Sequence, residues 1–196
     1  MKRNKILGTT VLLAAVLVGS ASAEEAKVAA KPADKAPAAH YLGVAKCKTC
    51  HNTAKSGMQY TKWTESKHSK AFALLATPEA LEVAKKKGIA DPQKSADCLK
   101  CHVTGYGEPT ENFEVTFKPE DGVQCETCHG AGSNYFKMAT MKAVRAGTIE
   151  RDKVGLLIPT KKTCDKCHNA EGTGGKEVDW SADSTKIAHP IPKAAG

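Results

Sequence analysis

No cysteine in this 196-residue chain stands outside one five-residue pattern, and no apolar run after the N-terminal one could span a bilayer. The first absence leaves no spare thiol for a disulfide framework, which needs an even cysteine count but not identical tight spacing in every pair. The second excludes an internal spanning helix, which takes about 20 consecutive apolar residues. A fixed internal period is missing too. Successive copies of the pattern begin 51, 27 and 39 residues apart, so the chain is not a solenoid. Histidine is short in a way that matters below: there are seven.

What is present is Cys-x-x-Cys-His, four times: Cys47 to Cys50 and His51, Cys98 to Cys101 and His102, Cys125 to Cys128 and His129, Cys164 to Cys167 and His168. These copies use all eight cysteines and four of the seven histidines. The pattern is that of c-type haem attachment. Two thiols add across the haem vinyl groups, and the adjacent imidazole reaches the iron from the proximal side. A zinc ribbon gives no reason for a histidine after every second cysteine, and a thiol-redox motif needs neither four copies nor a fixed histidine. The reading is four covalently attached haem c groups.

Residues 1–23 have the form of a secretory signal peptide: Lys2, Arg3 and Lys5, then the short apolar run from Ile6 to Gly19, then Ala21-Ser22-Ala23 before the cut. The run is too short to anchor in a bilayer, and no cysteine at the cut offers a lipid anchor. Export to the periplasm or beyond agrees with haem attachment after translocation. Residues 24–40, rich in Ala, Lys and Pro, read as a flexible leader, with order beginning near Tyr41. Residues 41–196 then form one tetrahaem domain. At that length the porphyrins must supply much of the core, and the chain without them is expected to be largely unfolded.

The formal charge of +8 does not point to nucleic acid. The signal peptide carries three of the basic residues and no acidic one, which brings the mature chain to +5. Eight propionates and four ferric porphyrins bring the loaded protein close to neutral. Lysine patches remain available to steer an acidic redox partner.

The expected fold class is mainly α, a multihaem cytochrome c with long irregular connections and at most a short β-hairpin. Residues 53–75 read as a helix with Trp63, Phe72 and Leu75 able to face haem, and His68 lies within it. Thr77 and Pro78 make an N-cap and a first helical position, for a helix that stops at Gly88. Residues 112–117 alternate as a short strand or hairpin would, and residues 133–146 form a further helix ended by Gly147.

Four irons with two histidines each would need eight imidazoles. Beyond the motifs only His40, His68 and His189 remain. At least one iron therefore takes something else: Met58, Met138 or Met141, a ligand from another subunit, or nothing. A saturated iron does electron transfer only, whereas an open one can bind nitric oxide, nitrite or hydroxylamine.

Three stretches carry a resemblance: residues 63–72 around His68, residues 97–107 around the second motif, and residues 122–132 around the third. In these the chain resembles the cytochrome c-554 family, tetrahaem carriers associated with hydroxylamine oxidation. The resemblance runs from about Tyr41 to His168, and residues 186–190 around His189 are similar to a terminal ligand segment of related multihaem proteins. It implies three six-coordinate haems and a five-coordinate second haem at His102. It further implies that His68 crosses to the third haem and that His189 serves the fourth. The family's remaining distal histidine follows the third motif. Here no histidine stands there, and Met138 falls within about one residue of the place, so Met138 is expected to ligate the first haem, with His40 as competitor.

The expectation is an exported electron carrier between a donor and an acceptor protein, not an enzyme, with neither nucleic acid nor stable membrane insertion among its partners. Two alternatives stand beside it. One is reduction of nitric oxide or a similar small nitrogen oxide at an open second haem. The other is self-assembly into a filament, with His40 ligating a haem of the next copy.

Overall fold

A computed structural model describes residues 36–172 and 177–189. The expectations for residues 1–35, signal peptide and most of the leader, lie outside the described residues.

Each haem motif is wound as a helix or a helix end, and the spacing requires it. Cysteines at i and i+3 share a helix face, and a histidine at i+4 stands one turn from the first of them. α1 (Val44–His51), α5 (Ala96–His102) and α6 (Cys125–His129) each end on their motif histidine. The fourth motif starts in a short helix over Lys161–Asp165, called α8 below, and is completed by turn bonds from the Cys167 and His168 amides to the Cys164 carbonyl.

The single helix expected over residues 53–75 is not formed. α2 (Gln59–Glu65) stops at an extended Ser66, a 3₁₀ turn covers His68–Lys70, and α3 (Ala71–Leu74) follows. The cause is local. Ser66 Oγ donates to the Trp63 carbonyl at 2.7 Å, and Ser69 Oγ donates to the Thr64 and Ser66 carbonyls at 3.0 and 2.9 Å. Serine hydroxyls compete in this way for the backbone acceptors that a continuous helix needs. The break matters, because it turns His68 out of the helix line.

α4 (Pro78–Lys86) forms as expected. Thr77 Oγ1 accepts from the Ala80 amide at 3.3 Å, Pro78 opens the helix, and Gly88 leaves it at φ 70°. Thr77→Ala should cost about 1 kcal/mol of stability, the usual worth of such a cap, measurable as a lower denaturant midpoint without loss of haem.

Residues 112–117 contain no strand. Tyr41 and Phe113 make one isolated bridge, through bonds of 2.7 and 2.9 Å. The alternating pattern instead serves an aromatic cluster. The Phe113 ring lies 5.1 Å from Tyr41 and 4.6 Å from Phe117 between centroids, while Val115 points to solvent at 97% exposure. α7 (Met138–Arg145) begins five residues later than the expected 133, because residues 133–137 are drawn into turns on Gly132. α9 (Trp180–Ile187), which the sequence did not announce, is capped by Asp179, whose carboxylate accepts from the Ser181 and Ala182 amides.

The described residues are thus mainly α, with no strand. Their apolar core is small. Only Leu42, Val44, Leu75, Ala84 and Val103 are buried hydrophobic side chains, while Leu74, Val83, Met138, Leu157, Ile158 and others stand exposed. Residues just before Tyr41 are tied to the segment after the third motif. The Asn134 side-chain amide donates to the Pro37 carbonyl at 2.9 Å, and the His40 amide donates to Ser133 Oγ at 2.8 Å.

Candidate haem-attachment sites

No disulfide joins any of the eight cysteines, so each motif has both thiols for covalent attachment. Three motif histidines are oriented from behind. His102 Nδ1 bonds the Ala71 carbonyl at 2.6 Å, and His129 Nδ1 bonds the Leu157 carbonyl at 3.1 Å. His51 Nδ1 faces the Gln59 side-chain oxygen at 3.4 Å. A carbonyl only accepts, so Nδ1 carries the proton and Nε2 keeps its lone pair for a metal, which is how a ligating imidazole is usually held.

Two further imidazoles face two of the four motif histidines. The His68 and His168 rings lie 6.0 Å apart between centroids, and the His129 and His189 rings lie 5.8 Å apart. With metal–imidazole bonds of about 2 Å on either side of one ion, two ring centroids stand about 6 Å apart. Both gaps therefore fit one iron. Burial, followed by the His168 imidazole, pushes the His68 pKa down. Desolvation, then His129 and His51, does the same at His189. Both shifts favour the neutral ring that a metal requires. The thin apolar core and the exposed Leu157 and Ile158, next to the carbonyl that holds His129, also suit a chain whose interior is completed by porphyrin.

The pairing is the reverse of the one the family resemblance implied. His68 faces the fourth motif, not the third, and His189 faces the third, not the fourth. The reason lies in the backbone that leads into the third motif. The Val123 amide donates to the His68 carbonyl at 3.0 Å, and Trp63 Nε1 donates to the Val123 carbonyl at 2.8 Å. The 3₁₀ turn is thereby clasped beside residue 123, and from there the ring reaches His168. Gly122 makes the clasp possible. It sits at φ 72°, and a Cβ there would lie 2.8 Å from the His68 carbonyl oxygen. Gly122→Ala is accordingly expected to cost at least about 2 kcal/mol through left-handed strain and that clash, and to loosen His68. A thermal melt checks the first effect and the loss of one low-spin haem signal checks the second.

Among the described residues no imidazole ring faces His51 or His102. The His40 ring meets Glu114 at 3.4 Å and stacks on no other histidine. Met138 opens α7 with its side chain 61% exposed, and Met58 stands at the start of α2 with the one positive φ among the described non-glycine residues, 57°.

The sulfurs also order the motifs in space, which spacing along the chain does not. Cys47 lies close to Cys125, Cys101 close to Cys167, and Cys128 close to Cys164. The motifs therefore run first, third, fourth, second. Sequence reading also missed the residues that hold these pieces together, Gln59, Gln124 and Glu126. Nothing in their spacing signals the role.

The Cytochrome c554 and c-prime family model matches residues 46–130, a segment holding the first three motifs. The chain is 31% identical over 154 residues to cytochrome c-554 of Nitrosomonas europaea, across 70% of this chain. It belongs to the cytochrome c-554 family. The match spans 62% of that relative's length, and no solved structure matches the chain. As a member of a c-type cytochrome family, the chain carries covalently bound haem c. No helix of the described residues is long and apolar enough to cross a membrane.

Proposed function

We propose that this cytochrome c-554 family member is an exported tetrahaem electron carrier, moving electrons between two redox proteins. The observation that carries the reading is the recurrence of four Cys-x-x-Cys-His motifs whose cysteines lie near one another, Cys47 by Cys125, Cys128 by Cys164 and Cys167 by Cys101. Bound haem c supplies one-electron chemistry at iron. The chain's own part is to hold and orient. His51, His102, His129 and His168 are the proximal ligands, with the first three steered by Gln59, Ala71 and Leu157. His68 is the sixth ligand at the fourth motif and His189 at the third, on the ring spacings above. Met138 is the sixth ligand at the first, where the family places a histidine. Residues 1–23 direct export, and electrons enter and leave at the first and second motifs, which end the series.

Intact mass of the mature chain tests the count: four haem additions and a start at Glu24 are expected, and fewer additions or a retained leader would overturn the tetrahaem or the export reading. Stopped-flow oxidation by an artificial acceptor should proceed without substrate turnover.

A second reading has an observation of its own. Because no imidazole faces His102 among the described residues, the second iron is open and takes a small nitrogen oxide. Nitric oxide binding to the reduced protein, seen as one five- or six-coordinate nitrosyl signal, decides for it. The filament reading depends on a free His40, whose backbone and ring are instead held by Ser133 and Glu114.

A further inference from the structure

The third motif contains a buried carboxylate that haem attachment does not use. Glu126 is 3% exposed. Its oxygens accept from the Leu42 amide at 2.9 and 3.1 Å, the Gly43 amide at 2.9 Å and the Gly132 amide at 2.7 Å. Two of those amides belong to the strip of chain that enters α1 and the first motif. The third belongs to the turn behind the third motif. Gln124, 2% exposed, repeats the tie one step along: its Oε1 accepts from the Val44 amide at 2.8 Å and its Nε2 donates to the Lys118 carbonyl at 2.8 Å.

The carboxylate sits against the junction of two motifs. Cys47 and Cys125 lie close to each other, and the Glu126 charge acts on both. No ion pair among the described residues includes it, and backbone amides are its partners. Burial raises its pKa, and the Leu42, Gly43 and Gly132 amides oppose that by favouring the ionised form. There is no room to retreat on one side, since a Cβ on Gly132 would stand 2.9 Å from Oε1.

We propose that Glu126 is the positioning residue of the haem pair at the first and third motifs. Its carboxylate clamps the backbone entering the first motif onto the third, and its uncompensated charge lowers the potential of both irons. A fixed negative charge in a water-poor interior favours the ferric over the ferrous state, and screening there is weak. The field falls with distance, so the second and fourth irons, at the other end of the series, feel less of it. This rests on the tetrahaem reading.

The experiment is a potentiometric titration of the holoprotein, followed by EPR so that each iron is read separately, on E126Q and E126D. E126Q keeps the size and loses the charge. It should favour reduction of the first and third haems three- to tenfold, the upper limit being about 59 mV for a one-electron couple, with the second and fourth within about twofold. E126D keeps the charge and slackens the clamp, so all four potentials should stay within about twofold. Equal shifts in both variants, a uniform shift of all four irons, or no shift would overturn the proposal. If E126Q does not mature, amide exchange in E126D decides: Leu42 and Gly43 should exchange at least tenfold faster, and unchanged exchange overturns the clamp. Haem counting by intact mass comes first. A first or third motif without haem overturns both this proposal and the tetrahaem reading, whereas four haems with unmoved potentials overturn this proposal alone.

Discussion

His68→Ala will convert one iron of the oxidised protein from low to high spin, and that iron will be the one at His168. The His68 and His168 rings stand 6.0 Å apart, so removing one leaves the other alone on its metal. Low-temperature EPR should lose one low-spin signal and gain a high-spin one. The reduced protein should then bind carbon monoxide at one more iron than the parent. The potential of that haem should rise, since a histidine pair favours the ferric state more than a single imidazole and water do. His189→Ala should remove a different low-spin signal, that of the third motif, and the double variant should lose both. If His68→Ala instead disturbed the haem at His129, the ring pairing described above would be wrong. Stability should change little by comparison, because the 3₁₀ turn carrying His68 is held by its own backbone bond to Val123 at 3.0 Å.

Denied haem, the chain will not fold. Five buried apolar side chains are too few to offset the conformational entropy of ordering a chain of this length. The buried polar groups Thr104, Gln124 and Glu126 each depend on partners distant in sequence, such as Thr104 with Thr127, Gln124 with Val44 and Glu126 with Leu42. Expression without haem-attachment machinery, or replacement of all eight cysteines by alanine, should therefore give a chain with weak helical circular dichroism, rapid proteolysis and no cooperative melt. The isolated helices cannot compensate. They run from four to nine residues, below the roughly 12 at which a helix in water becomes even marginal. A cooperative, protease-resistant apoprotein would overturn this account of the core.

Much of the chemistry was legible in the residues alone. Cys-x-x-Cys-His is a local pattern, with attachment and proximal ligation inside five residues, so no tertiary information is needed to read it. The helix at Pro78 was legible for the same reason: its N-cap, first-turn proline and terminal glycine are all near neighbours. The strand expected over residues 112–117 failed because period-two alternation looks the same whether the rings meet a sheet or one another, and here Phe113 and Phe117 pack with Tyr41, some 70 residues away. The helix expected over residues 53–75 failed because serine hydroxyls at 66 and 69 take backbone acceptors, an effect smaller than the apolar pattern that hid it.

Counting histidines established that at most three irons could have two of them from this chain, but a count carries no positions. Which imidazole faces which, His68 with His168 and His189 with His129, depends on how a broken helix and a terminal arm are brought over motifs up to a hundred residues away. The order of the motifs in space has the same origin. Sequence by itself determined the covalent chemistry, because that chemistry is complete within five residues. Only the tertiary structure decided which imidazoles face each other, which motifs adjoin and which amides Glu126 holds, because each joins groups that meet solely through folding.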